Sequence, residues 1–165
     1  MIAKYFTPTP ETLEQLKKAY RKLAMTHHPD AGGSNEDMKI INAEYSALFE
    51  KLKDIHVNSE GETYSKETTE TSEQFIEIID RLIRFEFIII EIIGSFIWVS
   101  GNTKPYKDQL KEMNFRWSSN KLSWYLPPDG YKKRNRKNYS MDDIREMYGS
   151  QEIEKQPYNK VTVTV

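Results

Sequence analysis

The chain has 165 residues, with 24 Lys and Arg against 25 Asp and Glu, three His and no cysteine. That length can bury a real core without staples, and the missing thiol excludes a disulfide framework, Cys-ligated zinc or iron–sulfur, and a thiol nucleophile. Met1–Pro10 carries one Lys and no apolar run, unlike a secretory signal, and the longest uncharged stretch, Ile92–Thr103, falls short of the ~20 apolar residues of a membrane helix, so a cytoplasmic protein without membrane contact is expected.

The near-zero net charge conceals segregation. Residues 1–56 hold eight basic and eight acidic side chains, residues 57–100 three and nine, and residues 101–148 eleven and six. Three charge regimes in so short a chain predict separate pieces. The divisions expected are a helical hairpin over 1–56, an acidic linker over 57–73, an apolar helix over 74–94, a small basic α+β module over 95–150, and a tail or edge strand over 151–165. The fold class is mainly α with a small α+β part, the C-terminal piece being of β-α-β-β type. The linker, rich in Ser, Thr and Glu, has too little apolar surface to offset the entropy of ordering.

In chain order, Thr9-Pro10-Glu11 is an N-cap signal followed by Pro at the first helical position. Leu13, Leu16, Tyr20, Leu23 and Ala24 then mark one face of a helix that Pro29 ends by forcing His28 out of helical geometry. Ser34 opens a capping pattern with Asp37, and Met38, Ile41, Tyr45, Leu48, Leu52 and Ile55 form a narrow apolar seam. The two helices should pack antiparallel with the turn exposed at one tip. On the first helix Lys17 and Arg21 lie one turn apart, as do Lys18 and Lys22, and such like-charge pairs cost a lone helix roughly 0.2–0.5 kcal/mol each. The patch is either a solvated face or a docking face for an acidic partner.

At the tip stands His28-Pro29-Asp30, preceded by Lys17-Lys18-Ala19-Tyr20-Arg21-Lys22-Leu23-Ala24 and followed by a helix containing Ile41-Asn42-Ala43-Glu44-Tyr45. This run resembles the J domain of DnaJ-type co-chaperones over about residues 5–55. The resemblance implies a protein that docks on a DnaK-type chaperone and stimulates its ATP hydrolysis, an activator and not an enzyme. It makes His28, Pro29 and Asp30 the triggering loop and Lys17, Lys18, Tyr20, Arg21 and Lys22 the docking face. Asp30, a carboxylate on a rigid exposed turn, suits a charge-assisted bond to a partner cation. Lys4-Tyr5-Phe6 runs straight into Thr7-Pro8-Thr9-Pro10, so the family's first short helix is expected to be abbreviated or absent. The chain lacks a Gly/Phe-rich linker and Cys-rich repeats, which resembles the minimal, type III members and leaves the client unidentified. Read as bare residues, the tip is an ordinary turn. Metal binding by His27, His28 and His56 is disfavoured, because adjacent histidines before a proline rarely converge on one ion, and no cofactor is expected.

From Ser72 to Ile93, Phe75, Ile76, Ile78, Ile79, Leu82, Ile83 and the Phe87–Ile93 run occupy most of a helical circumference, with Gly94 placed to end it. Such a helix pairs either with its copy in a homodimer or with the N-terminal hairpin. Its β-branched end, 87–93, reads equally as a strand.

In the last piece, Ser95–Ser100 reads as a strand. A helix carrying Tyr106, Leu110 and Met113 follows, then a hairpin of Phe115–Trp117 and Leu122–Leu126 around Ser118–Lys121, and a final helix capped by Ser140. Arg116, Trp117, Lys121, Trp124, Lys132, Lys133, Arg134, Arg136 and Lys137 form a candidate surface for a target or for single-stranded nucleic acid, with aromatics to stack on bases and cations to meet phosphates. The bland alternative is that the tryptophans fill a small core. The alternating Val161–Val165 tail is either an edge strand or disordered.

Overall fold

Helix α1, Leu13–His27, begins at Thr12, whose hydroxyl accepts from the Gln15 amide at 3.3 Å. The structure, a computed structural model, describes residues 3–58, 60–128 and 140–148. The cap therefore falls three residues later than Thr9-Pro10-Glu11 predicts, and the residues before it form bends without a helix. That leading segment is held by Glu44, a buried carboxylate of the second helix that accepts from the backbone amides of Lys4 (2.5 Å) and Tyr5 (3.0 Å).

Helix α2, Asn35–Leu52, is capped as expected, Ser34 Oγ accepting from the Asp37 amide at 3.1 Å. Met38, Ile41, Tyr45 and Leu52 are buried against α1, and so is Phe49, which the seam reading omitted. The helix stops before Ile55, which opens a two-stranded antiparallel ribbon of β1, Ile55–Val57, and β2, Thr63–Ser65. The expected mobile linker over 57–73 thus includes a strand. Its order comes from His56, whose ring nitrogens face Glu14 Oε1 at 2.9 Å and the Lys66 carbonyl at 3.0 Å.

The apolar segment is a helix followed by a strand. Helix α3, Ser72–Ile83, is entered through a capping box of Thr71 and Gln74 and packs Phe75, Ile79, Leu82 and Ile83 inward. Phe87 then adopts a left-handed φ of 59°, and Ile88–Ile93 forms strand β3. A helix continuing to 94 is corrected here: consecutive β-branched isoleucines prefer the pleated surface, where Ile88, Ile90 and Ile92 all turn inward. Gly94 serves as the first residue of a two-residue hairpin loop, at φ 58°, where a side chain would be strained. Most of the apolar surface that suggested a second subunit is buried within this chain, against the N-terminal hairpin and the sheet, while Phe87 stays 54% exposed.

Strand β3 pairs with β4, Phe96–Gly101, which pairs with β6, Ser123–Leu126, and this with β5, Arg116–Ser118; all pairs are antiparallel, in the spatial order β3-β4-β6-β5. Helix α4, Lys107–Glu112, sits between β4 and β5 in the chain, and α5, Met141–Tyr148, closes on β3 through an Arg145–Glu91 bond of 2.8 Å. The molecule is mainly α with a small antiparallel sheet, and one apolar cluster runs from Leu16 and Tyr45 through Phe75 to Val99 and Trp124. The tail 151–165 lies outside the described residues.

Candidate functional site

The tip of the hairpin is built by local chemistry. Helix α1 ends as His28 leaves helical geometry at φ −63°, ψ 140°, the conformation a following proline imposes. Pro29–Ala31 is a single 3-10 turn, closed by Gly32 in left-handed geometry. The Asp30 amide donates to His28 Nδ1 at 3.1 Å, so that nitrogen carries no proton. The proton therefore sits on Nε2, which donates to Asp80 Oδ1 at 2.7 Å. His28 is 6% exposed and acts as the internal strut of the turn, whereas Asp30 is carried outward with its side chain 40% exposed.

Behind the turn, the chain passes very close to the end of α1. A Cβ on Gly33 would lie 1.9 Å from the His27 carbonyl oxygen, so only glycine lets the backbone return here. A second clasp lies beside it. Tyr5 donates to Asp37 at 2.7 Å, and this bond holds the Asp37 carboxyl below the ordinary carboxylate range. The Tyr5 ring also meets His27 edge-on at 5.2 Å.

The five docking-face candidates divide. Lys22 is exposed, and Lys18 and Arg21 are half-buried, with desolvation lowering the Lys18 ammonium pKa. Lys17 and Tyr20 are buried, and α3 covers both. Lys17 Nζ bonds Glu70 at 2.6 Å and lies 5.1 Å from the centroid of the Phe75 ring. Tyr20 packs on Phe75 at 5.8 Å and donates its hydroxyl to Asn42 at 2.7 Å. Burial, reinforced by the Asp80 charge, pushes the Tyr20 phenol up. Over the loop itself, Arg84 lies 3.2 Å from Asp80 and 3.9 Å from Asp30. A groove of about 830 Å³ remains between α3 and the start of α2, lined by Tyr20, His28, Asp30, Asn42, Glu77 and Asp80.

Glu70, Phe75, Asp80 and Arg84 were not among the residues read as functional. A signal for them was present: Glu70, Glu73, Glu77 and Asp80 recur at spacings of 3, 4 and 3, an acidic stripe complementary to the basic face of α1.

The three histidines turn to three different carboxylates: His27 to Asp37, His28 to Asp80 and His56 to Glu14. Among the described residues no group of three potential ligands converges on a metal position, and no helix is long and apolar enough to cross a membrane.

The aromatic and basic residues of the sheet module do not form one platform. Cross-strand register puts Ile90, Val99, Trp124 and Trp117 in one row, and Glu91, Trp98, Tyr125 and Arg116 in the next, on the opposite face. Trp124 is buried in the core, while Trp117, on the edge strand, is 46% exposed. The opposite face brings Trp98 and Tyr125 to 5.2 Å, with Lys121 Nζ 5.9 Å from the Trp98 ring. Lys132, Lys133, Arg134, Arg136 and Lys137 lie outside the described residues.

No protein-family model and no solved structure matches the chain. Curated proteins do. A 62-residue stretch is 40% identical to the DnaJ protein ERDJ3B of Arabidopsis thaliana, covering 38% of this chain and 17% of that protein. Over 43 residues it is 49% identical to the chaperone protein DnaJ of Bordetella petrii, 26% of this chain and 12% of the relative. A 38-residue match, 50% identical, joins it to a tetratricopeptide repeat and J domain-containing co-chaperone of Mycosarcoma maydis, of which it covers 6%. The chain thus spans less than a fifth of each of these relatives, and the similarity falls on its N-terminal part.

Proposed function

Because the N-terminal part of the chain belongs to the J-domain family, we propose that the protein is a co-chaperone that docks on a DnaK-type chaperone and stimulates its ATP hydrolysis. The observation that carries this reading is the construction of the His28-Pro29-Asp30 turn. Its buried histidine receives the Asp30 amide at 3.1 Å, and the Asp30 carboxylate stands 40% exposed at the tip. Rigidity matters, because an ordered carboxylate loses little entropy when it meets a partner cation. The exposed and half-buried cations Lys22, Lys18 and Arg21 on the same helix would steer an acidic partner. The nucleotide chemistry belongs to the chaperone, and this chain supplies the contact that triggers it. The sheet module has the role of choosing the target.

Single-turnover hydrolysis of ATP by a DnaK-type chaperone tests the reading. The wild-type chain is expected to accelerate turnover, and Asp30→Asn, which keeps the side-chain shape but loses the charge, is expected to reduce that acceleration by at least about tenfold. Equal rates for the two proteins, both at the level of the chaperone alone, would reject it.

A further inference from the structure

We propose that α3 is an internal stand-in for the chaperone, and that docking requires it to leave the J-domain face. The inference rests on the reading above. Four of the docking residues, Asp30, His28, Lys17 and Tyr20, are met by groups from the segment after the hairpin, with complementary chemistry. Asp30 faces the Arg84 guanidinium at 3.9 Å, where a partner cation would sit. His28 donates to Asp80 at 2.7 Å. Lys17 is neutralised by Glu70 at 2.6 Å. Phe75 fills the space over the Tyr20 ring at 5.8 Å and over the Lys17 ammonium at 5.1 Å.

Lys17 and Tyr20 are therefore inaccessible while α3 stays in place, being 4% and 1% exposed. A chaperone cannot touch both of them and leave α3 where it is. The hold of α3 has an apolar part, Phe75, Ile79, Leu82 and Ile83, which a chaperone must replace with its own contacts, and a polar part that it can compete with. Of its polar contacts, Arg84 is 62% exposed and Asp80 39% exposed, so these two give little binding free energy and are screened by salt. The segment leading into it, 60–71, is largely exposed, which lets α3 be displaced without unravelling α1 or α2. Its far end is tied to the sheet module: Phe85 stacks on Tyr106 at 4.2 Å, and Arg81 meets Glu112 at 3.7 Å. A target bound by the sheet module therefore has a mechanical route to the docking face.

The triple variant Glu70→Ala/Asp80→Ala/Arg84→Ala removes the mimicking charges without altering any residue of the docking face. Circular dichroism is used to check that it folds, and its stimulation of single-turnover ATP hydrolysis is to be measured at limiting co-chaperone beside wild type and Asp30→Asn. The expected result is stimulation on the order of fivefold above wild type, still abolished when Asp30→Asn is added. A triple variant no better than an active wild type overturns this inference and leaves the co-chaperone reading standing. If neither protein stimulates hydrolysis, both fall together. Hydrogen exchange on the unmodified chain gives an independent readout: chaperone binding should protect α1 and speed exchange across α3. Protection of α1 with unchanged or slowed exchange in α3 would overturn the inference even if the triple variant proved unstable.

Discussion

The side chains behind the proposed docking face include phenols and carboxylates in unlike environments. Tyr45 is fully buried, stacks on Phe75 at 5.6 Å, and has no hydrogen-bond partner for its hydroxyl among the described residues. Burial pushes both Tyr45 and Tyr20 well above the ordinary phenol value of 10.0. Their sign follows from linkage. Above pH 10 the unfolded chain sheds these protons while the folded chain keeps them. The stabilisation is therefore complete below about pH 10 and is lost as pH rises toward the folded values, by up to ~1.4 kcal/mol per pH unit for each tyrosine. Tyr45→Phe deletes one of the two and an unsatisfied hydroxyl with it. Urea midpoints should show the variant at least as stable as wild type at pH 8, by up to about 1 kcal/mol, with a shallower decline toward pH 11. An unchanged alkaline decline would mean that Tyr45 is not the buried phenol described here. The residue scale was partly legible in the sequence. Tyr45 falls on the seam of α2, so its burial is readable from spacing; the missing partner for its hydroxyl depends on what Tyr20 and Phe75 do across the fold.

Among the elements, the connection from α1 to α2 is the least tolerant. Its sequence announces a turn through Pro29 and two glycines, but not why both glycines are needed. Gly32 takes the left-handed conformation that closes the 3-10 turn, and Gly33 lies against the backbone of His27. Gly33→Ala therefore pushes a methyl group into main chain that cannot rotate away. We expect a loss of about 1–3 kcal/mol in thermal stability, together with weaker chaperone stimulation although His28, Pro29 and Asp30 are untouched. An unaltered melting temperature would contradict the close approach. The α3–β3 segment offers the opposite lesson. Periodicity made it one long apolar element, whereas the reversal at Phe87 and the pairing of Ile88 with Gly101 divide it into helix and strand. A run of isoleucine satisfies both patterns, and only the partner strand distinguishes them.

Across the whole molecule, Glu14 joins pieces that the charge pattern separated. It is 4% exposed, and it bonds His56 at 2.9 Å, the Val57 amide at 3.1 Å and the Ser95 hydroxyl at 3.1 Å, which ties α1 to β1 and to the β3–β4 turn. Glu14→Ala leaves those donors without their acceptor and should cost about 3 kcal/mol. The three tryptophans, Trp98, Trp117 and Trp124, all belong to the sheet module, so fluorescence reports the sheet while far-ultraviolet dichroism reports mainly the helices. Wild type should lose both signals at one denaturant concentration, and the variant should lose the sheet signal at a lower concentration than the helical one. Coincident curves with an unshifted midpoint would show that Glu14 does not couple the two parts.

Local order alone set much of this protein. The capping of α2 by Ser34, the inward face of α1, the turn at His28-Pro29-Asp30 and the hairpin of β5 and β6 each depend on neighbours within a few positions, and all are readable from the chain. Tertiary packing decided which face of each element is covered and by what. The basic stripe of α1 reads as an exposed face, solvated or open to an acidic partner, yet Lys17 lies under Phe75 and Glu70, 53 or more residues further along. Trp124 reads as either a stacking surface or core, and it is core because its strand parity turns it toward Val99. Periodicity says that a helix has two faces, but the partner of each face comes from distant chain, and its choice depends on the total apolar area and charge that can be brought together.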